Sequence, residues 1–133
     1  MRQPINTKKL VKKIEKFAND ISSEKGPFIL FGLFQREKLI NSWDLVICAS
    51  WLKSNDFNAL KYSEKKLKYY TEEDERLSIG RLVTVSQDNP WISEVLDIPK
   101  NKKGVTELKN SELFGHNMRQ AFIIKSLNPN KNS

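Results

Sequence analysis

The chain has very few of the side chains that bind transition metals or form disulfides. Its 133 residues include one cysteine, Cys48, and one histidine, His116. A single cysteine excludes an intrachain disulfide, which agrees with a reducing compartment. One histidine and one cysteine are too few for a zinc site within one chain. Cys48 lies in an apolar segment and His116 in a predicted turn, so neither is placed in a pattern typical of catalysis.

Clustered glycines and long apolar runs are also missing from the sequence. The five glycines are dispersed, so there is no glycine-rich phosphate-binding loop. No apolar run approaches the ~20 residues that a membrane-spanning helix needs. Residues 1–17 lack the continuous apolar segment of a signal peptide. We therefore expect a soluble cytoplasmic protein without a membrane partner.

The rest of the composition is that of a globular protein. Hydrophobic residues make up 38% of the chain and charged residues 29%. A chain of this length favours one domain, and it can bury a core without metals or disulfides. We expect one globular domain over residues 1–127 and a disordered tail over residues 128–133.

The net charge of +7 comes mainly from lysine, and the acidic residues concentrate between residues 71 and 99. One side of the first predicted helix carries five lysines: Lys8, Lys9, Lys12, Lys13 and Lys16. We interpret this side as a solvated helix surface. The alternative is an electrostatic nucleic-acid interface, which is less favoured because the arginines that usually contact phosphates are few.

The clearest predicted element is a helix over residues 7–22. Apolar residues recur at the 3.6-residue period of a helix. Asn6 or Thr7 can cap its beginning, and Gly26 with Pro27 ends it. The apolar stripe consists of Leu10, Val11, Ile14, Phe17, Ala18 and Ile21.

Two apolar segments, residues 28–34 and 43–49, are predicted to be strands covered on both faces. The connector between them is short, which favours antiparallel pairing. A helix over residues 54–70 separates the second strand from a third over residues 79–86, which favours parallel pairing somewhere in the sheet. The acidic residues 71–74 are predicted to start a short helix with Thr71 as its cap.

The last third of the chain predicts one short helix and a hairpin. Pro90 suits the first turn of the helix, with Asp88 or Asn89 as the cap. The hairpin is predicted to turn at Gly115, His116 and Asn117. The order is α-β-β-α-(α)-β-α-β-β, and the fold class is a mixed α/β (α+β) sandwich. Its central mixed sheet has about five strands with helices packed on it.

The segment FGLFQREKLINSWDLVI, residues 31–47, resembles the active-site region of the minimal nucleotidyltransferase family. There a strand ending in LFGS is followed by an arginine-containing connector and a strand that begins SDxDLLV. The resemblance implies that Asp44 is a catalytic ligand of magnesium. It also implies that Gly32 and Arg36 lie beside a nucleotide.

The sequence departs from that family at the metal-binding positions. Leu33 replaces the serine that follows the glycine, and Ser42 and Trp43 precede Asp44 directly, so the first aspartate is missing. Residues 81–86 offer no third acid. Because magnesium needs several fixed oxygens, one carboxylate makes a poor site.

Two tryptophans complete the candidate ligand-binding set of Gly32, Arg36, Asp44, Trp51 and Trp91. Trp51 and Trp91 each follow a strand and precede or open a helix, at the loop edge where α/β sheets often bind ligands. Core packing is the competing role for such aromatic residues.

The favoured hypothesis is a non-catalytic module without a cofactor that binds another protein or a second copy of itself. The alternatives are a nucleotidyltransferase-like enzyme using Asp44 and Mg²⁺, and an electrostatic nucleic-acid-binding protein. The layout of Gly32, Phe34 and Trp43-Asp44-Leu45-Val46 is also similar to that of small bacterial proteins of unknown function.

Overall fold

The computed structural model describes residues 6–39, 42–52, 57–98 and 104–126. In these ranges the elements follow the predicted order α-β-β-α-α-β-α-β-β. The predicted tail at 128–133 and the start of the second predicted helix at 54–56 lie outside the described residues. The helices are α1 (Thr7–Lys25), α2 (Phe57–Tyr70), α3 (Glu73–Ser78) and α4 (Pro90–Leu96). The strands are β1 (Leu30–Arg36), β2 (Trp43–Cys48), β3 (Ile79–Thr84), β4 (Thr106–Leu113) and β5 (His116–Ser126).

The five strands form one mixed sheet in the order β3-β2-β1-β5-β4. β1 pairs antiparallel with β2 and with β5, and β4 pairs antiparallel with β5. β2 and β3 pair parallel, as expected for strands separated by helices. The predicted fold class, the antiparallel pairing of the first two strands and the presence of a parallel pair in the sheet are therefore confirmed.

The central strands β1 and β2 are buried over almost their whole length because helices pack on both faces of the sheet. On one face, here called the α1 face, Leu33 and Leu45 join the apolar stripe of α1. On the opposite face, here called the α4 face, Phe34 and Val46 pack with α4. Adjacent side chains of a strand point to opposite faces, so β1 and β2 supply both cores.

The two faces differ in how much helix covers them. α1 has 19 residues, and its entire predicted apolar stripe is buried. α4 has seven residues and buries Ile92, Val95 and Leu96. A helix of this length is about 10 Å long, which leaves the end of the α4 face near Asp44 open. Among the described residues, none of the helices combines the length and apolar character required to cross a membrane.

Local boundaries depart from the prediction at the last turn of α1, at one cap and at one hairpin turn. α1 continues to Lys25, where Gly26 with φ of 123° ends it. The predicted cap of α3, Thr71, is wrong: its hydroxyl donates to the carbonyl of Leu67, and Glu72 is the N-cap. Asn89 caps α4, as predicted, by accepting a hydrogen bond from the backbone of Trp91.

The predicted hairpin turn is one residue too late in the chain. Leu113 pairs with His116, so the turn consists of Phe114 and Gly115, and His116 already belongs to β5. Both turn residues have positive φ, 55° and 75°. Two-residue hairpin turns of type I′ require this conformation at both positions. Asn-Gly is the usual sequence for such a turn, so Phe-Gly carries little sequence signal for it.

Candidate functional site: an arginine-lined cleft on the α4 face

Asp44 lies at the centre of a row of charged side chains that crosses three strands. Its neighbours in the sheet are Phe34 on β1 and Arg81 on β3. Arg36 follows Phe34 by two residues, so strand alternation brings it toward the same face. The row on the α4 face is therefore Arg36, Asp44 and Arg81.

A bulge in β3 places Arg81 in this row. Trp43 is paired with Ile79, but Asp44 is paired with Arg81, so Gly80 is the extra residue. Without the bulge Asp44 would lie opposite Gly80, and alternation would send Arg81 to the α1 face. A Cβ at Gly80 would lie 2.2 Å from Ser42 Oγ, so a larger residue at the bulge would require the Ser42 side chain to rotate.

Both carboxylate oxygens of Asp44 contact arginine nitrogens. Arg81 Nε donates to Oδ1 at 2.9 Å, and its Nη2 donates to Oδ2 at 3.3 Å. Arg36 Nε lies 2.9 Å from Oδ2. Asp44 is buried, with 4% of the residue exposed, whereas 54% of the Arg81 side chain is exposed. One buried negative charge thus faces two positive charges at the surface of the sheet.

The Arg36 contact is ionic and not a hydrogen bond. Arg36 Nε is buried and has no hydrogen-bond partner among the described residues, despite its 2.9 Å approach to Oδ2. Because the carboxylate oxygen of Asp44 lies 2.9 Å away and the nitrogen is buried, the contact is electrostatic and this nitrogen is not open to a ligand.

These charges line a cleft of about 180 Å³, here called the arginine cleft. Its walls are Arg36, Asp44, Arg81, Asn89, Trp91 and His116. Its floor is apolar and consists of Phe34, Val46, Val83, Val85, Phe114 and Met118. Trp91 is 46% exposed, which is high for a tryptophan. A second cavity of about 470 Å³ shares Arg36 and His116 and adds Lys38 and Glu37, so the open region extends along the sheet.

The β4–β5 turn supplies part of the cleft floor and lies against Trp91. Phe114 has the positive φ that a bulky residue seldom adopts. Its ring packs edge-on against Phe34 at 5.3 Å between ring centroids. A Cβ at Gly115 would lie 3.4 Å from the ring of Trp91. The turn therefore packs directly beneath the exposed tryptophan.

Three of the five predicted ligand-binding residues meet in the cleft, namely Arg36, Asp44 and Trp91. Gly32 and Trp51 are not among its lining residues. A Cβ at Gly32 would lie 2.8 Å from the carbonyl oxygen of Phe122, so glycine there allows close strand packing. Trp51 Nε1 donates to the carbonyl of Gly26 at 3.0 Å and thereby fixes the end of α1.

The five predicted nucleic-acid-binding lysines lie on α1, on the other side of the sheet from the cleft. Lys8, Lys9, Lys12 and Lys16 are exposed. Lys13 is half-buried, and its Nζ lies 2.7 Å from Glu75 Oε1. One member of the predicted patch is thus neutralised by an ion pair that joins α1 to α3.

Arg81 and His116 are cleft residues that the sequence-based candidate set omitted. The bulge at Gly80 could not be foreseen from the strand period, so the face of Arg81 was unknown. The sequence pattern predicts His116 in a surface turn, where a histidine usually has no catalytic role. The parallel pairing expected somewhere in the sheet is the one available signal, but it fixes neither the partner strand of β3 nor the register that brings Arg81 beside Asp44.

The cleft does not fit the magnesium ion that the nucleotidyltransferase resemblance implies. Among the described residues, no group of three or more His, Cys, Asp or Glu side chains is placed to hold a metal ion. The one carboxylate in the cleft, Asp44, has a guanidinium nitrogen at each of its oxygens. A divalent cation there would lie beside two positive charges and would lack the several oxygens it needs.

Comparison of the chain with protein-family models, with curated proteins and with solved structures found no match.

Proposed function

We propose that this protein is a non-catalytic binding module that recognises an acidic segment of another protein chain in the arginine cleft. The partner is a different protein or a second copy of this chain. The observation that carries the proposal is the unequal charge of the cleft, where two guanidinium groups meet one carboxylate. The positive charge left over lies beside an exposed aromatic ring and an apolar floor.

The chemistry of arginine supports an anionic partner. Guanidinium groups bind carboxylates through paired N–H donors. Arg81 uses Nε and Nη2 toward Asp44, so Nη1 takes no part in that contact. Tryptophan and arginine are also the residues that contribute most often to the binding energy of protein interfaces. Both are present at the mouth of one cleft.

The nucleotidyltransferase-like alternative has less support because it requires Asp44 to coordinate magnesium. The nucleic-acid alternative uses a different surface, the exposed lysines of α1. Those lysines are spread along one side of α1, whereas Arg36, Asp44 and Trp91 meet in one cleft. Its affinity would fall steeply with added salt, which separates it from cleft binding.

A peptide-display selection tests the proposed function. The library contains random peptides with free or blocked C-termini, and wild-type protein is the bait. We expect enrichment of peptides that carry a carboxylate next to apolar residues. Enriched peptides should bind Arg81→Gln at least about tenfold more weakly, which is the effect of losing one charge-assisted hydrogen-bonding group.

The matched control is Arg119→Gln, which makes the same change in charge at an exposed residue outside the arginine cleft. It should bind the enriched peptides like the wild type. The proposal is wrong if the selection yields no acidic peptides. It is equally wrong if both arginine variants lose the same affinity.

A further inference from the structure

We infer that the arginine cleft accepts a singly charged carboxylate carried on an apolar body. This inference rests on the proposed binding role of the cleft and adds the chemical class of the group that enters it. Three features support it: the charge balance, the exposed donor of Arg81 and the apolar volume of the cleft.

The charge balance of the cleft matches a monoanion. Arg36 and Arg81 contribute two positive charges and Asp44 one negative charge, which leaves one positive charge. A carboxylate would neutralise the cluster. A phosphate monoester carries close to two negative charges at neutral pH. It would leave an uncompensated negative charge beside the apolar floor, where burial of charge is unfavourable.

The accessible donor for such a carboxylate is on Arg81. Its Nη1 takes no part in the contact with Asp44. Arg81 is the more exposed of the two arginines, with 54% of its side chain accessible against 26% for Arg36. An incoming carboxylate can therefore bind Arg81 while Asp44 stays in place and Arg36 contributes its charge.

The volume beside the donors suits one ring or one branched side chain. The cleft encloses about 180 Å³ above its floor of Phe34, Val46, Val83, Val85, Phe114 and Met118. An apolar cavity of about 150 Å³ is large enough for a benzene ring. Trp91 offers a further aromatic surface at the rim, where it is 46% exposed. A ligand with a charge but no apolar body would leave this surface unused.

Isothermal titration calorimetry with three matched probes tests the inference at pH 7.5. The probes are 3-phenylpropionate, its neutral amide 3-phenylpropionamide, and phenyl phosphate. We expect 3-phenylpropionate to bind at least about tenfold more tightly than the amide, because only the acid supplies the charge. Phenyl phosphate should bind more weakly than the carboxylate. Equal binding of acid and amide, or tighter binding of phenyl phosphate, would overturn the inference.

Variants of Arg81 and Asp44 test whether 3-phenylpropionate binds in the arginine cleft and whether the charge balance of the cleft selects it. Arg81→Gln should weaken 3-phenylpropionate about tenfold or more, and Arg119→Gln should leave it unchanged. Asp44→Asn raises the net charge of the cluster by one and should shift the preference toward phenyl phosphate. If Asp44→Asn does not fold, the affinity of Arg81→Gln for 3-phenylpropionate still tests the inference. Unchanged affinity in Arg81→Gln would contradict the assignment to this cleft.

A peptide probe distinguishes two sources of the carboxylate, the end of a protein chain and a free carboxylic acid. Acetyl-Gly-Gly-Gly-Phe with a free C-terminus is compared with 3-phenylpropionate. Tighter binding of the peptide identifies the end of a protein chain as the source, and equal binding identifies a free carboxylic acid. Each result supports the inference, whereas absence of binding by both probes refutes it.

Failure of the inference and failure of the proposed function give different results. If 3-phenylpropionate binds but display yields no acidic peptides, the cleft takes a small carboxylic acid and the protein-binding proposal is wrong. If acidic peptides are selected but no aryl carboxylate binds, the protein-binding proposal stands and the inference is wrong.

Discussion

Asp44 holds the two arginines of the cleft in place, and its own burial depends on them. The residue is 4% exposed, and both of its oxygens contact guanidinium nitrogens. A buried carboxylate is tolerated only when it is paired. The role of Asp44 is therefore electrostatic, because it orients Arg36 and Arg81 and reduces their repulsion.

We expect Asp44→Asn to lower the free energy of unfolding by about 1–3 kcal/mol. The substitution leaves two neighbouring guanidinium groups without a counter-charge. The expected loss is below the full cost of breaking a buried pair because Arg81 is half exposed. Urea unfolding at pH 7 measures it. Asp88→Asn, at an exposed residue, should change stability by less than about 0.5 kcal/mol. Equal stability of the two variants would contradict the ion-pair account.

Cys48 gives a second prediction at the scale of one residue. Burial raises the pKa of the Cys48 thiol from 9.0 to about 11. Between these values the unfolded chain loses a proton that the folded chain keeps, so the stabilising contribution of the thiol falls as pH rises. The unfolding free energy of wild type minus that of Cys48→Ala should fall by about 2 kcal/mol between pH 8.5 and 11. A constant difference would mean that the thiol ionises freely in the folded protein.

The helices and strands were largely predictable because their patterns are local. The apolar stripe of α1 and the two covered strands β1 and β2 follow from hydrophobic period and connector length. The site was less predictable because it depends on register. A single bulged residue, Gly80, decides that Arg81 faces Asp44. The strand period alone does not reveal such a shift.

The ion pair between α1 and α3 provides a test at the scale of elements. Burial acts to raise the pKa of Glu75, but the hydrogen bond from the backbone of Glu72 and the ion pair with Lys13 outweigh it and hold that pKa below 4.5. The resulting stabilisation is present above the ordinary pKa and is lost as pH falls through the lowered folded-state pKa.

We expect Glu75→Gln to lower the free energy of unfolding at pH 7 by about 1 kcal/mol, because Lys13 is one-third exposed and the pair is partly screened. Denaturant unfolding at pH 7 and pH 3 measures the effect, which should shrink toward zero at pH 3. Glu73→Gln is the control, since Glu73 is an exposed residue in the first turn of α3. An effect of Glu75→Gln that does not change with pH would contradict the ionic origin.

At the scale of the whole molecule, the sheet separates two positively charged surfaces. The lysines of α1 lie on one side, and the arginine cleft lies on the other. The net charge of +7 favours the binding of anions, but it does not indicate where on the surface they bind. Only the three-dimensional arrangement distinguishes scattered solvated lysines from two arginines that meet at one carboxylate.

The most direct test of the central claim is an NMR titration that follows the Trp91 indole N–H and the Arg36 Nε–H. One sample receives 3-phenylpropionate, and a second receives MgCl₂ at the same concentration. The account predicts that the carboxylate shifts both signals and that Mg²⁺ shifts neither. Shifts caused by Mg²⁺, without any caused by the carboxylate, would show that the cleft is a cation site and would contradict the account.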